Sequence, residues 1–336
     1  MAIEIGGVSK RIGLALSGGG FRAAGFHLGV MRKLRELQLL EKIDVISCVS
    51  GGSIAGAFVA LNWTDTTNLD RLERYLASKS IAVSSFLAGA LNPFESRLEA
   101  LADSYDRDLF NSKNMSALLT GPRLYLNSTN LATGNMFSFV AGGGEAAEMG
   151  DYELGFVDAA EFPICKAVAA SSAFPPVFPP LVLSTDVYSP GNEFEYISLT
   201  DGGVYDNMGI APALNRRTKL DYLIVSDGGK PFQNDSQPTE SGAMVLKAGL
   251  DIMMEQIRGL EFDRMLHRAL ANAGPRPMWF SIDSVEGAVD PADANFASSI
   301  KTDLRKLTLS ELGVLQRHGG ALVLSRIHTY APELML

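Results

Sequence analysis

The residues best suited to chemistry sit in glycine-rich turns. Ser50 lies in Cys48-Val-Ser-Gly-Gly52, at the end of the largely apolar stretch Ile43–Val49. A strand that turns sharply into a helix forces a hydroxyl into the open, and the helix N-terminus favours negative charge beside it. Gly18-Gly-Gly20, followed by Phe21 and Arg22, ends the earlier apolar stretch Ile12–Leu16. Bare N–H groups at such a turn bind a phosphate or the oxyanion of a tetrahedral intermediate. Asp201 and Asp227 each open an Asp-Gly-Gly turn. A carboxylate at the end of an adjacent parallel strand can reach a serine hydroxyl, and partial burial makes it a more capable base. Nucleophile, base and oxyanion donors together are what acyl transfer requires.

Each assignment has a rival in the same sequence. The usual elbow is Gly-x-Ser-x-Gly, and Cys48 stands where its first glycine belongs. Centring on Ser53 instead places the hydroxyl a turn into the helix. Asp-Gly pairs commonly mark turns, so the motif alone does not separate Asp201 from Asp227. Four histidines, His27, His267, His318 and His328, leave a triad open. Ser50, Asp227 and one of the last three follow the chain order of an α/β-hydrolase. Gly18-x-Gly20-x-x-Ala23 is one residue from a dinucleotide fingerprint, but the second strand ends in Ser50-Gly51-Gly52 and offers no acidic residue for a ribose.

Positioning these turns requires strands and helices in alternation. Strands are expected at 12–16, 45–49, 123–127, 136–140, 196–199, 220–225 and 279–282. A helix over 23–41 carries Phe26, Val30, Leu34 and Leu37 on one face. A second over 53–61 is apolar on nearly every side and must be buried. Further helices are expected at 164–172, 244–271 and 298–317, with a surface loop at 141–150. Residues 62–120 read as a helical insertion or cap, within which 83–94 reads as a mobile lid, a lipid-contacting surface or a helix pair packed on the sheet. This alternation implies an α/β fold with a mostly parallel sheet covered on both faces. One domain over 1–336 is expected, with core motifs in 12–230 and a C-terminal helical part in 240–336.

The 336 residues are 46% apolar and 20% charged, which suits a packed core, and the net charge of -9 argues against a nucleic-acid-binding face. Cys48 and Cys165 read as reduced core residues, and nothing resembles a zinc pattern. No apolar run of about 18 residues predicts a membrane span, and no leader pattern opens the chain, so the cytoplasm is the expected location.

Four ordered segments resemble the patatin-like phospholipase family. They are Leu16–Val30 with its run of three glycines and Arg22, Val49–Ile54 around Ser50, the small-residue and proline block Ala169–Pro180, and Leu199–Gly209 with its Asp-Gly-Gly and trailing asparagine. The resemblance implies a three-layer α/β/α fold and a Ser–Asp dyad without histidine, and it selects Asp201 over Asp227. It implies Ser50 as nucleophile, Asp201 as base, Gly18, Gly19 and Gly20 as the oxyanion hole, and Arg22 as support for that loop. The implied activity is lipid acyl hydrolysis, of phospholipase A or lysophospholipase type, on phospholipid or another acyl ester. Peripheral contact with a membrane goes with it, and no metal or cofactor is required. A soluble carboxylesterase or a non-catalytic lipid- or partner-binding protein on the same fold is the alternative. Phe174, Val177 and Phe178 would line an acyl channel or form a rigid turn in the core.

Overall fold

The computed structural model describes residues 3–81, 97–175, 177–190, 194–215, 217–229, 231–232, 241–287 and 289–335. With strands numbered in chain order, β1 (Ile3–Ile5) and β2 (Val8–Lys10) form a small antiparallel hairpin. The central sheet has a parallel part of five strands. Their order is β12 (Arg276–Ser281), β11 (Tyr222–Asp227), β3 (Ile12–Leu16), β4 (Ile43–Val49) and β5 (Arg123–Asn130). Beyond β5 the sheet continues antiparallel through β6 (Met136–Gly142), β7 (Glu145–Asp151) and β8 (Gly155–Asp158). The antiparallel pair β9 (Leu181–Ser184) and β10 (Tyr196–Asp201) joins at β5.

Side chains alternate across the parallel strands and so divide between two cores. Leu14 and Leu16 of β3 and Ile224 of β11 point into the larger core, with Phe26 and Phe280. Ala15 of β3 and Leu223 and Val225 of β11 point into a smaller core on the opposite face, with Met208, Ile210 and Met265. The larger core is covered by α1 (Gly20–Glu36), which links β3 to β4, and by α2 (Gly51–Leu61), which follows β4. Right-handed crossovers between neighbouring strands put both helices on one face. Also in this layer are α3 (Asn68–Ser78), α4 (Arg97–Tyr105) and α5 (Ile164–Ser171), whose Leu72, Leu101 and Ala167 are fully buried. The short α6 (Gly203–Asp206) leads into the segment that carries Met208 and Ile210. The long α7 (Gly242–Leu270) lays Met265 and Phe262 on the smaller core. The helices α8 (Pro291–Ser299) and α9 (Leu309–Tyr330) complete the described chain, with α9 against α1. The result is the three-layer α/β/α arrangement, and among the described residues no helix is long and apolar enough to cross a membrane.

Three expectations need correcting. Residues 141–150 are largely strand rather than surface loop, because a turn of positive-φ glycines at Gly142, Gly143 and Gly144 lets β7 fold back on β6. The helix expected at 298–317 is two helices, separated by residues 300–308. The second starts at a capping box in which the Glu311 N–H donates to Thr308 Oγ1 and the Thr308 N–H donates to Glu311. The first helix stops at Glu36 rather than 41 because Gln38 turns left-handed, with φ 58. Within 62–120, α3 and α4 supply core residues of the main layer. The stretch read as a lid, 83–94, lies outside the described residues.

Candidate active site

The strand β5 brings the candidate serine and the candidate carboxylate, Ser50 and Asp201, together. Its first half pairs with β4, ending at Val49 opposite Asn127. Its second half pairs with β10, with Asp201 opposite Ser128. Its other edge is taken by β6, so β4 and β10 meet end to end along one edge. Ser50 leaves the tip of one and Asp201 sits at the tip of the other. Asp201 was expected on a parallel neighbour of the serine strand. It lies instead on an antiparallel strand that occupies the place β4 vacates.

Ser50 is an elbow residue, with φ 50 and ψ -115. A non-glycine residue held there stores about 1–3 kcal/mol of strain. Its neighbours hold it in place. The Ser50 N–H donates to both the carbonyl and the Oγ of Ser171, each at 3.1 Å. Ser171 Oγ donates in turn to Asn127 O at 2.6 Å. The rival serine is spent in the same cluster: Ser53 is fully buried and its hydroxyl bonds Ser171 Oγ at 2.8 Å. Cys48 is accommodated in place of the usual elbow glycine because Gly56 of α2 leaves room for its sulfur.

Asp201 is buried, and burial pushes its pKa up to about 7, against the Gly203 N–H and the Ser50 hydroxyl, which favour the charged form. The Gly203 N–H donates to Oδ1 at 2.7 Å. Among the described residues Oδ2 has no hydrogen-bond partner. The Ser50 hydroxyl is therefore near the carboxylate but not bonded to it, a looseness common before substrate binds.

The three glycines divide. The Gly18 N–H donates to Asn207 O at 3.0 Å. That donor is committed, which corrects the expectation that Gly18 contributes to an oxyanion hole. Gly19 and Gly20 adopt φ 139 and φ 62 at the start of α1, and among the described residues their N–H groups have no acceptor. The Arg22 guanidinium is buried beneath them. It donates to Gly228 O at 3.0 Å and Ile300 O at 3.0 Å, and burial lowers its pKa to about 10. It ties the glycine turn to two other loops and does not face the cavity.

No histidine joins this group. The His27 Nε2–H donates to Ser17 O at 3.0 Å and Nδ1 accepts from Ser226 Oγ at 2.7 Å, deep in the core, where burial lowers its pKa to about 4. His318 bonds Ile282 O. His267 and His328 are exposed. None of the four lines the cavity around Ser50.

That cavity encloses about 600 Å³ and is bordered by Gly19, Gly20, Ser50, Asp201 and Asn207. Phe174, Val177 and Phe178 of the proline block give it apolar lining, as do Phe232, Met254 and Leu304. The block thus faces the cavity. Sequence reasoning missed the remaining wall: Asp251, Met254, Glu255 and Arg258 of α7, and residues 301–304 of the loop before α9. Only the mixed face of α7, with charges set among apolar residues, hinted at a helix that borders a cavity.

A family model of the patatin-like phospholipases matches residues 14–214. The chain belongs to the patatin-like phospholipase family. Among solved structures it is similar to human GIVD cytosolic phospholipase A2, with a TM-score of 0.62 at 15% identity over 97% of this chain and 60% of that one. The same human protein in complex with a methyl gamma-linolenyl fluorophosphonate inhibitor gives a TM-score of 0.60 at 14% identity, over 97% of this chain and 59% of that one. At such identity the likeness is one of fold, and this chain spans about three-fifths of the length of those chains. No curated protein sequence matches it. In this patatin-like chain the matched segment holds the glycine turn, Ser50, Asp201 and Asn207, whereas the α7 wall lies beyond it.

Proposed function

We propose that the protein hydrolyses fatty acyl esters of lipids, as a phospholipase A or lysophospholipase, through a Ser50–Asp201 dyad. The observation that carries this reading is one juxtaposition. A strained elbow serine and a buried carboxyl with a pKa near 7 hang from the same strand and open into one apolar-walled cavity. Asp201 takes the Ser50 proton as Ser50 attacks the ester carbonyl. The N–H groups of Gly19 and Gly20 hold the oxyanion, each well-placed donor lowering the barrier by about 3–4 kcal/mol. Arg22 acts by fixing that turn. Water then releases the fatty acid, whose chain lies along Phe174, Val177 and Phe178.

Contact with a lipid surface belongs to the same proposal. The helix α7 turns Met254 and Arg258 into the cavity while exposing Leu246, Met253 and Leu260, spaced seven residues apart and each more than half exposed. Such an apolar stripe beside the cavity suits delivery of a chain from a membrane.

The test is a fluorophosphonate probe with the adduct located by mass spectrometry. An adduct on Ser50, lost in a folded Asp201→Asn variant, is the expected result. An adduct on Ser53, or none on folded protein supplied with lipid vesicles, overturns the proposal.

A further inference from the structure

The scheme above leaves the side-chain amide of Asn207 unused, yet that amide lies beside glycines that adjoin both Ser50 and Asp201. A Cβ at Gly18 would overlap Asn207 Oδ1 and would stand 3.3 Å from Ser50 Cβ. A Cβ at Gly203 would stand 2.6 Å from the same oxygen and 3.0 Å from Asp201 Oδ1. The amide oxygen therefore fills the gaps left by two absent side chains, one beside the serine and one beside the carboxylate. On its far side Nδ2 faces Gly229, 3.0 Å from that Cβ position. The backbone beneath it is pinned. Asn207 O accepts from the Gly18 N–H, and the Asp206 carboxylate takes the N–H groups of Met208, Gly209 and Ala211 at 2.8–3.0 Å. Asn207 lines the cavity, and its amide has no hydrogen-bond partner among the described residues.

A rigidly held acceptor beside a general base is what a hydrolytic water needs. An attacking water carries two O–H bonds, and fixing both aims its lone pair at the acyl carbon. Asp201 can accept only the one whose proton it removes. We propose that Asn207 Oδ1 accepts the other, making Asn207 a catalytic residue of the deacylation half-reaction. The inference rests on the Ser50–Asp201 reading. The water oxygen bonds to the acyl carbon of the Ser50 ester as Asp201 takes its proton. Collapse of the tetrahedral intermediate breaks the bond from carbon to Ser50 Oγ, which recovers the proton from Asp201. The free acid departs. Formation of the acyl-enzyme uses no water and does not call on this acceptor.

The two half-reactions therefore separate under substitution. With p-nitrophenyl butyrate, Asn207→Ala is expected to lower kcat by about 10²-fold, as a misplaced reactant does. KM should fall in parallel, because kcat/KM reports acylation. A burst of nitrophenol should appear, and intact-mass spectrometry should find butyryl-Ser50 at steady state. If the alanine variant does not fold, Asn207→Leu keeps the size without the acceptor and gives the same reading. Asn207→Asp keeps an acceptor oxygen and should turn over without accumulating the acyl-enzyme. The inference is overturned if kcat and kcat/KM fall together with no butyryl-Ser50, if neither changes, or if the aspartate variant accumulates acyl-enzyme as the alanine variant does. Failure of the parent reading looks different: no butyryl-Ser50 forms in any variant, and Ser50→Ala remains active.

Discussion

Arg258 Nε donates to Asp227 Oδ2 at 2.6 Å, across the boundary between α7 and the end of β11. That contact distinguishes the two Asp-Gly-Gly turns. Asp227 is fully buried but carries its own cation, and the Gly229 N–H occupies its other oxygen. Among the described residues Asp201 has no cation, and one of its oxygens is unbonded. One carboxylate is held as an ion pair and the other by a single backbone N–H, from Gly203.

Removing Arg258 should expose this arrangement. Arg258→Leu leaves a buried carboxylate without its partner, which costs about 3 kcal/mol of stability. Adding Asp227→Leu should recover much of that loss. Urea denaturation of the single and double variants measures both, and independent losses that simply add would contradict the pairing.

The elevated pKa of Asp201 has consequences for both rate and stability. Activity should rise with pH through about 7, as the base loses its proton. Stability runs the other way. The folded carboxyl binds its proton up to about pH 7, against 3.8 for the free group. Its stabilising contribution is therefore present in full below about pH 4 and is lost as pH rises through about 7. Asp201→Asn should be inactive, yet more stable than the parent chain at about pH 8 than at about pH 5, relative to the same comparison. Thermal melts at the two pH values decide it, and an unchanged stability difference would count against the burial of a protonating carboxyl.

Cys48 and Gly56 should be energetically coupled. The Cys48 sulfur occupies the space a Cβ at Gly56 would need. Gly56→Ala overpacks the elbow and should cost about 1–3 kcal/mol. In a Cys48→Ala background the same substitution should be nearly neutral. A double-mutant cycle in urea reads the coupling directly.

The exposed stripe of α7 should matter only when the substrate is aggregated. Leu246→Glu with Leu260→Glu removes two exposed leucines, each worth about 1.5–3 kcal/mol when fully buried. Binding to phosphatidylcholine vesicles in a sedimentation assay should fall by at least about tenfold. Hydrolysis of a soluble short-chain ester should hold steady. Equal loss on both substrates would place the effect in the cavity wall instead.

The parts legible in the sequence were those set by local pattern. The apolar stretches around Leu14 and Val45 mark buried parallel strands, and the glycines after them mark the turns. The same holds for Ser50 as an elbow, since the helix begins at Gly51, directly after it. Relations between distant segments left no local trace. That Gly18 spends its N–H on Asn207 O is a contact across nearly two hundred residues, invisible to any motif. The placement of Asp201 on an antiparallel strand depends on where β10 docks along β5, which the alternation of Tyr196–Asp201 does not encode. The strand β7 was hidden because Glu145, Ala146 and Glu148 look like solvent-exposed loop. Their partner across the ladder, β6, supplies the apolar half of the pattern.

Suspending Ser50 and Asp201 from consecutive stations of β5 has a mechanical meaning. When the sheet flexes, both groups ride on the same beam, and their separation changes little because the motion is common to both. The glycine turn hangs from β3, two strands away, and is anchored through Arg22 to the loops at Gly228 and Ile300. Such flexing would therefore fall on the gap between the Gly19–Gly20 turn and the Ser50–Asp201 pair, rather than within the pair. Under the proposed function, that gap is where a bound acyl group draws the two halves into alignment.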